Sequence, residues 1–137
     1  MYLSWKHRTL VETERADTLA DGLATRVPVP FATEILLDVV DEFILVSDDE
    51  LWRSIRLLWE ATHNAAEGAG AAALAALLRA SERFRGQKVA LILSGGNITA
   101  DNLAQALSGA GPRRQPQSEG EEDTCGPMDE PSTSFAQ

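Results

Sequence analysis

The run KVALIL, residues 88–93, is apolar in five of its six positions and then breaks at Ser94-Gly95-Gly96-Asn97. Val, Leu and Ile without polar alternation are the pattern of a β-strand covered on both faces, as in a parallel sheet. One further run of this kind, FILV at 43–46, is also rich in strand formers. Two strands are too few for an independent sheet with helices on both sides.

The remaining segments read as helices and connections. Residues 1–16 are polar and have no clear period, and 18–24 allow a helical turn interrupted by Gly22. The prolines of RVPVP (26–30) force an extended chain, and Pro30 suits a helix start. That helix would put Ile35, Leu36, Val39 and Val40 on one face. Ser47 with Glu50 three residues on is a capping box, so a helix is expected from Asp48, with Asp48 and Asp49 suiting its positive end. Leu51, Ile55, Leu58 and Trp59 form its apolar stripe, and Trp52 and Trp59 read as packing residues. The alanine- and leucine-rich stretch 71–84 predicts a helix mostly buried against its neighbours. A last helix follows Thr99 as N-cap and stops at Gly109.

The order is therefore helix, strand, helix, helix, strand, helix. The expected fold class is α/β: a helix-rich, incomplete three-layer domain built on a parallel sheet whose other strands are not in these 137 residues.

Charge and composition narrow the partners. The formal net charge is −9, which opposes binding to nucleic acid or an anionic membrane. No apolar run approaches the ~20 residues that span a bilayer, and the first residues lack the apolar core of a secretion signal. The single cysteine, Cys125, excludes a disulfide framework within the chain. A cytoplasmic location is expected. Residues 109–137 carry six acids, two arginines, four prolines and four glycines. That composition predicts a disordered acidic tail, leaving 1–108 as the working domain.

The SGGN turn sits where open α/β sheets bind ligands, at the carboxyl end of a strand. Gly95 and Gly96 would let a ligand approach the main chain. Ser94 offers a hydroxyl, and Asn97 an amide able to pin the loop. A plain strand-to-helix turn fits the same spacing. An anion cradle at the next helix start fits too, although no Gly-Lys-Ser/Thr signature is present.

Four segments in order, ADTLADGLATRVPVP, VSDDELWRSIRLLWE, EGAGAAALAALL and KVALILSGGN, carry a resemblance that covers roughly residues 10–107. They resemble the C-terminal portion of the threonine/serine dehydratases, pyridoxal 5′-phosphate enzymes of the tryptophan synthase β fold type that include serine racemase. The resemblance implies that Ser94 hydrogen-bonds the pyridine nitrogen of the cofactor. It implies that Gly95, Gly96 and Asn97 shape the turn, that Gly22 lies beside the cofactor and that Glu67 lies near its ring. The family commonly has Glu-Pro where this chain has Glu67-Gly68. No catalytic and no metal-binding residue is expected here.

The resemblance also defines what is lacking. The family's reaction uses a lysine joined covalently to the cofactor, carried early in a longer chain in a Ser-x-Lys-x-Arg-Gly type of segment. The two lysines, Lys6 in SWKHR and Lys88 in GQKVA, have neither setting. The glycine-rich loop for the cofactor phosphate is absent as well, and the family's divalent-cation glutamate would fall before Met1. His7 and His63 suggest no metal pair.

The expected function is that of one part of an ammonia-lyase taking L-threonine or L-serine to a 2-oxo acid and ammonia, with the isolated chain inactive. Racemization of serine is the alternative within the family. A non-catalytic interaction module, pairing with a complete homologue, is the alternative outside it. The expected partners are an amino-acid substrate in the full enzyme, and either a second copy of the chain or a missing N-terminal part.

Overall fold

The computed structural model describes residues 1–109. Its order is α1 (Tyr2–His7), a 3₁₀ turn (Asp21–Leu23), α2 (Pro30–Val39), α3 (Asp48–Thr62), α4 (Gly68–Arg79), a second 3₁₀ turn (Ser81–Phe84) and α5 (Ala100–Ser108).

Helix α3 organises the fold. The Ser47 side chain accepts the Glu50 N–H, and the Glu50 carboxylate accepts the Ser47 N–H at 2.7 Å, so the expected capping box is formed. Leu51, Trp52, Ser54 and Ile55 are the buried residues of its stripe. Ile55 shares one apolar cluster with Trp52, Ala66, Ala71 and Ala106. Leu51 shares a second with Ala20 and Ala75. Full burial contributes about 1.5–3 kcal/mol for each large aliphatic side chain. The alanines of α4 are what let α3 pack along it, and α5 completes the other flank of α3. Trp52 is thus core, whereas Trp59 is half-buried and meets His63 edge-on.

α5 starts at Thr99, whose side chain accepts the Asn102 N–H, and ends at Gly109 in the left-handed region, as expected. The acidic tail falls outside the described residues beyond Gly109.

Three expectations are corrected. Neither 43–46 nor 88–93 forms a strand among the described residues, because a ladder needs a neighbour and these runs do not pair. Residues 88–93 are exposed rather than buried, with Ile92 at 78%. In α2 the apolar stripe is largely outward: Ile35 and Val39 are exposed and Thr33 is the buried residue. Finally, Tyr2–His7 is helical although its sequence shows no period. It is held from outside, with Trp5 Nε1–H donating to the Val40 carbonyl at 3.2 Å and the Trp5 ring 5.2 Å from that of Phe43.

Candidate functional site

The start of α4 is the meeting point of three distant segments. The Glu67 N–H donates to the Gly95 carbonyl at 3.2 Å, which docks the SGGN turn on the helix. The approach is closer than side chains permit. A Cβ on Gly70 would overlap the Gly95 carbonyl oxygen, and one on Gly95 would overlap Glu67 Oε1. Gly96 lies less tightly against the Ala65 carbonyl, whose oxygen is 2.8 Å from where a Cβ on Gly96 would stand. The loop ending at Gly22 arrives from the other side, with Gly22 against the Ala69 methyl.

Between these segments lies a cleft of about 200 Å³. Gly22 and Asp21 form one edge, Glu67, Gly68 and Ala69 the floor, and Asn97, Thr99 and Asn102 the far edge. Of the residues expected at the site, Gly22, Glu67 and Asn97 line the cleft, while Gly95 packs against Glu67 and Gly70 and Gly96 against Ala65. Ser94 is exposed, outside the residues that line this cleft, and makes no side-chain hydrogen bond to the described residues. It stands beside Gly95 on the same turn.

Sequence reasoning missed Gly70 and Gly68, whose value lies in a close approach to segments far away in the chain. It also missed the second use of Asp48. The Asp48 carboxylate accepts the Thr18 hydroxyl at 2.6 Å and the Leu19 N–H at 3.1 Å, and so holds the loop that carries Gly22. Thirty residues separate Asp48 from Thr18, and no local pattern signals the contact.

Residues 1–95 match the family model described as "Pyridoxal-phosphate dependent enzyme". The chain belongs to this pyridoxal-phosphate dependent enzyme family. It is 34% identical over 108 residues to an L-threonine ammonia-lyase of Thermotoga maritima, an alignment taking in 79% of this chain and 27% of that protein. Its structure is similar to the threonine deaminase of T.th., with a TM-score of 0.67 and 34% identity over 72% of this chain and 36% of that one. It is also similar to serine racemase from Dictyostelium discoideum, with a TM-score of 0.62 and 32% identity over 72% of this chain and 31% of that one. The chain thus spans about a quarter to a third of the length of these relatives.

These similarities are to α/β enzymes, although no strand is formed among the described residues of this chain. Pyridoxal phosphate is the cofactor of the family, and the cleft fits part of it. Its lining holds two carboxylates, Asp21 and Glu67, and no Lys or Arg, so it opposes a phosphate. Glycine surfaces flanked by amide and hydroxyl groups suit an uncharged ring edge instead. The lining opposes the phosphate end of the cofactor, and Ser94, the residue expected at its pyridine nitrogen, stands outside it. Among the described residues no group of three or more His, Cys, Asp or Glu is arranged to hold a metal ion. No described helix is long and apolar enough to cross a membrane.

Proposed function

We propose that this chain forms one wall of the cofactor site of a threonine/serine ammonia-lyase, the wall that meets the pyridine ring. The observation that carries this reading is the docking of the SGGN turn on the start of α4 through the Glu67–Gly95 bond. Ser94 immediately precedes the docked glycine in the chain. When bound, pyridoxal phosphate supplies an electron-withdrawing ring that eases removal of the substrate's α-proton.

The Ser94 hydroxyl would hold the pyridine nitrogen of the cofactor by donating a hydrogen bond without surrendering its proton. A carboxylate at that position would hold a full proton on the nitrogen, so a hydroxyl leaves the ring a milder electron sink. Such a site favours loss of the β-hydroxyl over chemistry that needs a long-lived carbanion. The Asn97 side chain makes no hydrogen bond to the described residues and lines the cleft instead, while Gly22 would border the ring and Glu67 would supply an acidic group near it. The lysine that joins the cofactor is not among these residues, and neither Lys6 nor Lys88 lines the cleft. The isolated chain is therefore inactive, and amino-acid substrate binds only in the full enzyme.

Two observations favour other readings. The serine racemase similarity keeps racemization within the family's reach, since the substrate-reading residues lie outside this chain. The exposed apolar residues at 88–93 favour a non-catalytic module that pairs with a complete homologue.

The test is a fusion in which the N-terminal part of the Thermotoga maritima enzyme, ending where similarity begins, precedes this chain. The reading predicts bound cofactor by absorbance, formation of 2-oxo acid from L-threonine, and loss of that activity on Ser94→Ala. Cofactor bound with activity indifferent to Ser94→Ala would refute the assignment of Ser94.

A further inference from the structure

The Asp48 carboxylate serves two segments. It belongs to the first turn of α3, yet both oxygens are engaged by the loop before Gly22: Oδ1 accepts the Thr18 hydroxyl at 2.6 Å, and Oδ2 accepts the Leu19 N–H at 3.1 Å. Thr18 has a single hydroxyl proton, which Asp48 takes, so its oxygen is turned to accept the Ala20 N–H at 3.2 Å. The Ala20 carbonyl in turn accepts the Leu23 N–H at 2.8 Å and opens the turn Asp21–Leu23. That turn sets Asp21 and Gly22 on the edge of the cleft.

The same loop is clamped from the opposite side. The Leu19 carbonyl oxygen lies 2.8 Å from where a Cβ of Gly68 would stand. Leu19 is thus held at its amide by Asp48, and its carbonyl lies against the glycine that begins α4, where a side chain would not fit. Charge-assisted bonds of this kind are roughly twice as strong as neutral ones, and Ala20 behind them is buried.

We infer that Asp48 is a positioning residue for the cleft: it acts through Thr18 and Leu19 to fix the distance between the Gly22 edge and the α4 floor. Its relevance to the cofactor rests on the function proposed above; the positioning itself does not. Asp48→Asn removes the charge and replaces one of the two accepting oxygens with an NH2 donor, so it cannot reproduce both charge-assisted bonds. Asp49→Asn removes the same charge from the same helix turn and touches neither Thr18 nor Leu19, so it is the control for the helix dipole.

The experiment is amide hydrogen exchange on the full chain, with no cofactor present. Asp48→Asn should speed exchange at Leu19, Ala20 and Leu23 by about tenfold and leave α5 unchanged. Thr18→Val should do the same at Ala20, and Thr18→Ser should restore protection. Equal effects of Asp48→Asn and Asp49→Asn, or loss spread evenly over α4 and α5, would overturn the inference. In the fusion, Asp48→Asn should weaken cofactor retention several-fold while Asp49→Asn does not. Equal retention in both, in a fusion that binds cofactor, would refute the positioning role and leave the cofactor reading intact. A fusion that binds no cofactor, with the exchange pattern as expected, would do the reverse.

Discussion

Glu67 and Gly95 meet at two points, one of them a hydrogen bond. The Glu67 N–H donates to the Gly95 carbonyl at 3.2 Å, and the Glu67 carboxylate lies over the Gly95 α-carbon where a side chain would otherwise stand. A long stretch of chain therefore returns to one point, and the cleft exists because it does.

This close docking has a measurable signature. Gly70→Ala would drive a methyl into the Gly95 carbonyl, where only backbone can yield. Overpacking of this kind costs ~1–3 kcal/mol, and the helix-propensity gain of alanine over glycine, about 1 kcal/mol, offsets only part of it. Gly95→Ala meets the end of the Glu67 side chain, which can swing aside. Urea denaturation should place Gly70→Ala below the parent chain by up to about 2 kcal/mol and Gly95→Ala within about 0.5 kcal/mol of it. The reverse ranking would mean that the turn does not sit on α4.

Acid should unlock the start of α3. The Glu50 carboxyl is held below the ordinary glutamate value chiefly by the Ser47 N–H, with the Ser47 hydroxyl and Arg79 adding to it against the opposing effect of partial burial. The folded state binds this proton less readily than the unfolded one. Its contribution is therefore complete at neutral pH and is lost as the pH falls below the ordinary value and through the lower folded one. Glu42, lowered by its hydrogen bond from Arg83 at 2.6 Å, follows the same sign. Denaturant midpoints followed from neutral pH to about pH 3 should fall, and less steeply in Glu50→Gln. An identical slope in that variant would contradict the capping account. Ser47→Ala should cost about 1 kcal/mol at neutral pH.

The exposed run at 88–93 should govern association. Val89, Leu91, Ile92 and Leu93 are all exposed, as are Phe31 and Val39 on α2, and apolar surface of this extent drives contact with other chains. Sedimentation should detect concentration-dependent association and a broad thermal transition. Ile92→Asp should weaken association and lower the binding of a hydrophobic dye, with little change in helix content. A sharply melting monomer that ignores this substitution would argue that the face needs no cover.

How much of this was legible differs by element, for physical reasons. The capping box at Ser47 and Glu50 and the Thr99 and Gly109 ends of α5 are local chemistry, and they were readable residue by residue. The α1 helix was not, because its anchor is Phe43, which lies far along the chain. The strands were over-read: β-propensity at 43–46 and 88–93 states what these residues suit, but pairing depends on neighbours that the described residues do not provide. The α2 stripe failed similarly, since an apolar face is buried only where something covers it. Ser94, Gly95, Gly96 and Asn97 are legible as a small-residue turn, and Gly22 and Glu67 only through the family resemblance; Gly22, Glu67 and Asn97 line the cleft by α4, whereas Ser94 does not. Asp48 was read only as a helix-dipole residue, because its contacts with Thr18 and Leu19 leave no trace in spacing.

The most direct measurement adds pyridoxal phosphate to the full chain, follows the absorbance of a lysine adduct, then reduces with borohydride and maps the labelled peptides. The account predicts no stoichiometric label at Lys6 or Lys88 and no 2-oxo acid from L-threonine. A stoichiometric label at either lysine together with turnover of threonine would contradict it.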